Sequence, residues 1–392
     1  MTPYHQDPDC TYYVADARAV LASLPEKSVH TVVTSPPYHN LRSYLDADHP
    51  DKELELGSED TADCLGWARG ERCDVCYICK MLAVFAAVWK VLRDDGSCWV
   101  NISDGYADKQ RSGIPERFAL GMQSSGWYWR DTIHLCKTSP MPESVRDRTT
   151  QAHEYLYLFS KRPRYFWDAE AVKESLQESS LERGYSYRDP EYVGPKMDGS
   201  ASEVRANSTW HGKRYVPSGR NPRSWMLVSP EPSNGTSKHY ATFVGGRTIP
   251  SFAIRAGSSE YGVCGECGAP WEREVSESLG GTIGHGWNER EDERLEKGNF
   301  KVKSSRGYRA GQTLGFRPTC SHADAPVVPA TVLDPFSGSG TSAVTARQLG
   351  RRSIYVDLSA SYADAAITRL AGVTPMLPLA PAGARAEQGE LL

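Results

Sequence analysis

Apolar residues fall into short blocks whose period alternates between two and about 3.6 residues at both ends of the chain. Thr11-Tyr12-Tyr13-Val14-Ala15 is β-branched and aromatic and stops at Asp16, which predicts a strand. Residues 17–24 suit a short helix ended by Pro25, and residues 29–34 form an apolar β-branched run of the kind buried on both faces. That run halts at Ser35-Pro36-Pro37-Tyr38, because proline has no N–H to give a ladder. Residues 80–92 carry Leu82, Phe85, Val88, Trp89 and Leu92 at helical spacing, and Asp94-Asp95-Gly96 then turns into a strand over 97–102. A helix over 115–125 and strands over 127–135 and 154–160 follow. The pattern returns near the end, with a strand end at 331–333, a helix over 341–349, a strand over 353–356 and a helix over 362–370. Such alternation predicts an α/β fold built on a doubly wound, mostly parallel sheet.

Between these regions, from about 168 to 237, periodicity is lost and Gly, Ser, Pro, Arg and aromatics dominate. A flexible surface insertion would have this composition, and so would a nucleic-acid contact region. Residues 205–255 contain eight lysines and arginines against Glu231 alone, which singles out Arg214, Arg220 and Arg223 as candidate DNA contacts. The whole chain, with a net charge of −4, is no polycation. Its 392 residues, 39% hydrophobic and 24% charged, are ordinary for a globular protein with a core. No membrane-length apolar run occurs, and Met1 to His5 lack the marks of a signal peptide, so a cytoplasmic protein with no membrane partner is expected.

Two constellations carry chemistry. Asp334-Pro335-Phe336-Ser337-Gly338-Ser339-Gly340-Thr341 lies between a strand and a helix, where glycines permit a sharp turn and close approach of a ligand. No lysine follows the last glycine, so it is not a phosphate-binding P-loop. Asp357 ends the next strand, 17 residues past Gly340, in a place suited to accepting hydrogen bonds from ribose hydroxyls. Together they suit a nucleoside cofactor. The second constellation is Ser35-Pro36-Pro37-Tyr38: a rigid backbone carbonyl and the Ser35 hydroxyl can accept the hydrogens of an exocyclic amino group, while Tyr38 offers an aromatic face. A plain turn with a packed tyrosine is the alternative.

The chain has ten cysteines, seven of them in two clusters. Cys264-x2-Cys267 with Cys320-x-His322 has the ligand types of a structural zinc site, closed by an excursion that returns. Cys64, Cys73, Cys76 and Cys79 leave two readings open: a four-thiolate zinc site or free thiols. Tight spacing argues against the first, and the run lacks the further cysteines of common iron–sulfur motifs.

At this point the chain resembles the amino-methyltransferases of DNA, the N4-cytosine and N6-adenine family, over most of residues 11–370. The order of parts is similar to its β class, with the proline motif first, the recognition region next and the glycine turn last. Asp16 stands where the family carries an acid near the cofactor's adenine ring, and Tyr240-Ala241-Thr242-Phe243 resembles the motif at the methionine end. Lys137 to Arg148 and His153-Glu154-Tyr155 resemble a further family motif.

The resemblance implies the S-adenosylmethionine-dependent methyltransferase fold in permuted order. It assigns a catalytic half to 1–167, a target-recognition region to 168–238, and a cofactor half to 239–372 that includes a zinc excursion over 260–322. The tail, 373–392, is expected to be disordered. It also implies S-adenosylmethionine as cofactor, bound by Asp16, Phe243, Asp334, Phe336, Gly338, Gly340, Thr341 and Asp357, and catalysis by Ser35, Pro36, Pro37 and Tyr38. Duplex DNA is the implied partner; a cognate restriction endonuclease and a homodimer would be compatible, in a bacterial or phage-infected cell. Thr-Ser-Pro-Pro-Tyr is more typical of N4-cytosine members, with N6-adenine as the alternative. An RNA or protein-glutamine substrate fits less well, since glutamine enzymes carry the two motifs in reverse order, and intact motifs argue against a DNA-binding protein that has lost catalysis.

Overall fold

The computed structural model describes residues 1–41, 43–175, 219–229, 243–275, 313–322 and 324–374. Arg214, Tyr240-Ala241-Thr242, most of the arginine-rich stretch and all but the first two residues of the tail lie outside them. The chain forms two units: one of Met1–Ala171, Arg223–Glu272 and Pro318–Leu392, the other of Val172–Pro222 and Arg273–Arg317.

The larger unit is built on nine strands: β1 (His5–Gln6), β2 (Cys10–Val14), β3 (Val29–Thr34), β4 (Leu92–Ile102), β5 (Tyr128–Lys137), β6 (His153–Ser160), β7 (Trp225–Val228), β8 (Thr331–Asp334) and β9 (Arg352–Asp357). Their order is β1-β2-β9-β8-β3-β4-β6-β5-β7. From β2 to β4 every pairing is parallel. Beyond β4, β6 runs antiparallel to both β4 and β5, and β7 pairs with β5 in parallel. The doubly wound, mostly parallel sheet predicted from alternation is the one observed.

Helices cover both faces, which is why β3 is buried almost throughout. α1 (Ala17–Ser23), α2 (Tyr77–Val91) and α3 (Ile114–Ser124) share one core, in which Phe85 and Phe118 pack with ring centroids 5.1 Å apart. α4 (Thr248–Gly257), α5 (Thr341–Gln348) and α6 (Ala360–Ala371) lie on the other face, where Ala343, Ala363 and Ala366 bury against Tyr12 and Tyr355. A Cβ on Gly257 would stand 2.4 Å from Ser97 Oγ, so α4 lies against the strands only because that position is glycine. Among the described residues no helix is long and apolar enough to cross a membrane.

Three local expectations need correction. β4 begins at Leu92 and takes in Asp94-Asp95-Gly96, expected as a turn, because the register with β3 shifts between Val29 and Thr31. α2 begins at Tyr77, three residues early, since the Cys76 sulfur caps it by accepting from the Cys79 amide. Trp225–Val228 lies inside the stretch expected to be irregular, yet it is an edge strand of the main sheet. Four residues with Trp225 and Leu227 exposed carry little local signal; pairing with β5 makes them a strand. Helix α4 had no forecast, although Pro250 sits harmlessly in its first turn.

Candidate active site

The glycine turn leaves the C-terminal end of β8, where loops of a parallel sheet gather around ligands. Gly338 has φ 50° and Gly340 φ 77°, left-handed values that glycine adopts without strain. Asp334 is buried and accepts from the Phe336 amide at 3.1 Å and from the Ser342 hydroxyl, tying the turn to α5. Burial lifts its carboxyl to about 6. Asp357, at the end of β9, accepts from the Gly338 and Ser359 amides, each at 2.8 Å, and burial lifts it likewise to about 6. A carboxylate has about four lone-pair sites, so acceptor capacity remains for a ligand hydroxyl. Asp16 caps α1 by accepting from the Arg18 and Ala19 amides. Burial pushes its carboxyl up, but the Arg18 guanidinium and these amides prevail and hold it low.

The proline corner leaves the neighbouring strand, β3. The Tyr77 hydroxyl on α2 donates to the Pro37 carbonyl at 2.6 Å. Ser35 Oγ lies 3.4 Å from the Tyr38 hydroxyl, which in turn donates to Glu154 Oε2 at 2.9 Å. Glu154 is buried, with Asn101 Nδ2 at 3.0 Å on the same oxygen and Lys137 Nζ at 2.9 Å on the other. Burial and the adjacent Glu154 carboxylate push the Tyr38 hydroxyl well above its ordinary value, so it remains a donor at neutral pH. The Ser35 hydroxyl therefore directs its hydrogen toward Tyr38 and keeps lone pairs for another donor.

Both constellations open on one cleft, lined by Asp16, Ser35, Pro37, Phe336, Gly338 and Asp357 among others. β8 lies beside β3 and β9 beside β8, so the two motifs emerge from adjacent strand ends. Asp334, Gly340 and Thr341 do not line it; they hold the turn from behind. Tyr38 backs Ser35 rather than the cavity wall, and Phe243 is buried elsewhere in the unit. Sequence reasoning missed Tyr44 and Tyr362, which line the cleft, and Tyr77, which grips the corner. It quoted Glu154 only within a motif. Leu358, next to Asp357, could have been found by adjacency; Tyr44 had no local signal.

A family model described as DNA methylase, for N6 and N4 methyltransferases, matches residues 29–243 and 329–368, well over half of the chain. The chain belongs to this DNA methylase family. It is 35% identical over 200 residues to the Type II methyltransferase M.XycI of Xanthomonas campestris pv. cyanopsidis, covering 44% of this chain and 61% of that protein. It is 36% identical over 197 residues to M.SfiI of Streptomyces fimbriatus, covering 46% and 42%. The match thus spans less than two thirds of either relative. Among solved structures, the PvuII DNA methyltransferase, titled cytosine-N4-specific, superposes with TM-score 0.52 at 16% identity over 94% of this chain and 88% of that one, a likeness of fold.

Of the remaining candidate residues, those in the larger unit are not among the residues that line the cleft. Arg220, in the smaller unit, is paired to Glu174 at 2.8 Å across a short backbone bridge, an acid that lies well before the 205–255 stretch whose charge looked so one-sided. Arg223 is exposed, with its guanidinium 4.2 Å from the Trp225 ring centre. Cys264, Cys267, Cys320 and His322 bring their ligand atoms within 4.8 Å of one another, and the other four cysteines do the same in a separate cluster. The Cys264 turn is seated on the sheet: His30 Nε2 meets the Gly268 carbonyl at 3.0 Å, and Arg93 donates to the Cys267 carbonyl at 2.7 Å.

Proposed function

We propose that this protein transfers a methyl group from S-adenosylmethionine to the N4 amino group of cytosine in duplex DNA, at a specific site. The observation that carries this reading is the cleft shared by Ser35 and Pro37 with Phe336, Gly338 and Asp357. Family membership and the Type II methyltransferase relatives support it.

The cleft suits the cofactor. Gly338 brings the backbone close, Asp357 retains acceptor capacity toward the ribose, and Phe336 supplies an apolar wall. Asp16 would face the adenine end. When bound, the cofactor supplies an electrophilic methyl, so no covalent enzyme intermediate is required. The protein's task is the amino nitrogen, whose lone pair is delocalised into the base. Ser35 Oγ and the Pro36 carbonyl accept its two hydrogens and favour a tetrahedral nitrogen with its lone pair free. Tyr38 and Glu154 hold Ser35 in the accepting orientation, a preorganised dipole that needs no rearrangement during the step. Base extrusion costs a few kcal/mol, offset by contacts in the pocket.

Residues 168–238 are assigned to target recognition on composition, with Arg214, Arg220 and Arg223 as phosphate or base contacts. Cys264, Cys267, Cys320 and His322 are assigned to a structural zinc ion, a complete set of four ligands with no place for a substrate. The ion would fasten the Gly268 turn to His30 and Arg93 beneath the sheet. Duplex DNA is the partner, and a cognate endonuclease would complete a restriction–modification pair.

The test is incubation of the purified protein with methyl-labelled cofactor and mixed duplex DNA, followed by digestion to nucleosides. Label in N4-methylcytosine is expected. Label in N6-methyladenine would move the assignment to adenine, and no label in DNA of any sequence would defeat the reading.

A further inference from the structure

We infer that Cys64, Cys73, Cys76 and Cys79 form a four-thiolate zinc site, and that this ion locks the start of α2 so that Tyr77 braces the proline corner. The metal assignment stands independently of the methyl-transfer reading; the bracing deepens it.

All four sulfurs lie within 4.8 Å of one another, and Cys64 Sγ and Cys79 Sγ are 3.6 Å apart. Tetrahedral zinc with Zn–S near 2.3 Å places its sulfurs roughly 3.8 Å apart. A disulfide would need about 2.05 Å. The tight Cys73-x2-Cys76-x2-Cys79 spacing, which argued against a tetrahedron on paper, is accommodated because α2 begins inside it. Cys73 lies before the helix, Cys76 is its cap, and Cys79 stands in its first turn.

Backbone N–H groups point at the sulfurs. Gly66 N donates to Cys64 Sγ at 3.3 Å, Cys76 N to Cys73 Sγ at 3.3 Å, and Cys79 N to Cys76 Sγ at 3.5 Å. Together with the positive end of a 15-residue helix, they offset the charge of four thiolates on one divalent ion.

The surrounding chain gives a second reason. Residues 58–75 form only one short 3-10 turn; Trp67 is their buried large side chain, while Leu65 and Val75 are exposed. Leu65 and Asp74, each directly after a ligand, hold left-handed φ values of 59° and 55°. So little apolar burial cannot by itself hold two strained non-glycine residues. A metal ion can, as in small metal-dependent folds. Zinc is the ion that prefers four soft thiolates in a tetrahedron without bridging sulfide.

What the ion would hold is specific. Tyr77 directly follows Cys76, is fully buried, and donates to the Pro37 carbonyl at 2.6 Å. Its ring packs against His39 at 5.3 Å, on the far side of Tyr38. One turn along, Lys80 lines the cleft and pairs with Glu59 at 3.4 Å, and Glu59 accepts from the Gly57 amide beside the Tyr38 carbonyl. The cluster, α2 and the corner form one continuous chain of contacts.

The experiment combines metal analysis with hydrogen exchange on the full-length protein. Elemental analysis of the Cys264→Ser/Cys267→Ser variant, which leaves this cluster untouched, should still find one equivalent of zinc. Cys73→Ser/Cys76→Ser in that background should remove it, and Cys73→His should retain it. Absence of zinc, iron in its place, or a mass deficit from a disulfide would overturn the assignment. Removing this zinc should speed amide exchange over residues 35–41 at least about tenfold, while exchange in β9 stays unchanged. Unaltered exchange at the corner would overturn the bracing whether or not the protein methylates DNA. Tyr77→Phe should keep its zinc and its cofactor affinity yet lower turnover about tenfold, the loss of one hydrogen bond to the corner. Turnover equal to the parent's would likewise count against the bracing.

Discussion

Tyr38 and Glu154 are joined by a hydrogen bond of 2.9 Å, which links the proline corner after β3 to the antiparallel strand β6. The same carboxylate receives Asn101 and Lys137, so the tyrosine is anchored to a fixed acceptor. Its consequence for Ser35 is directional. A phenol that donates to Glu154 can only accept from Ser35, and the serine oxygen is left as an acceptor toward the cleft.

Glu154→Gln should therefore lower turnover about 10- to 100-fold, the range for a hydrogen bond to a charged group worth 1.5–3 kcal/mol. Cofactor affinity should change little, because Glu154 does not line the cleft. Single-turnover methylation and calorimetric titration separate the two effects, and an equal loss in both would contradict this role.

The role proposed for Asp357, accepting from the cofactor ribose, predicts an affinity that depends on pH in a defined direction. Burial raises its carboxyl to about 6, so it takes up a proton as pH falls through that value and loses acceptor capacity for the ribose. Affinity should weaken below pH 6. The contribution of Asp357 to folding has the opposite sign: a raised folded-state value favours the protonated form, stabilising at low pH and lost as pH rises through about 6. Asp357→Asn should bind weakly and show a flatter pH profile by titration calorimetry.

Gly340→Ala should destabilise the protein by about 1–3 kcal/mol through strain and overpacking. The residue has φ 77°, and a Cβ there would stand 2.6 Å from the Ala366 Cβ. Urea unfolding of the two proteins measures the difference. A neutral result would mean that α5 and α6 can separate at no cost.

Exchange of residues 168–238 for the corresponding segment of a relative should change which DNA site is methylated while leaving cofactor affinity intact. Modified-base sequencing of DNA from expressing cells reads the site directly. Unchanged specificity would place recognition elsewhere in the chain.

The two motifs were legible because glycine and proline constrain their own backbone. Ser35-Pro36-Pro37 can end a strand almost anywhere, and Gly338 and Gly340 mark left-handed turns whatever surrounds them. The strand and helix periods around them are also carried by near neighbours. Trp225–Val228 and α4 escaped for the converse reason: pairing with β5 defines the first, and the close seat of Gly257 on Ser97 and Trp99 defines the second. Of the predicted cofactor residues, Asp16, Phe336, Gly338 and Asp357 reach the cleft. Asp334, Gly340 and Thr341 belong to the same turn but pack away from the cleft, a placement that no spacing rule conveys.

A parallel α/β sheet, a rigid proline corner and a glycine turn with an acid one strand later can be read from the chain alone, since each is written in local period and backbone constraint. That β9, β8 and β3 lie side by side and set both motifs on one cleft follows from the folded arrangement. It also brought Tyr77, Glu154, Tyr44 and Tyr362 to them and gathered four cysteines at the start of α2. Those placements depend on pairings between segments hundreds of residues apart. Their free energy comes from burial and ladder formation in the folded state, and no single stretch of chain records it.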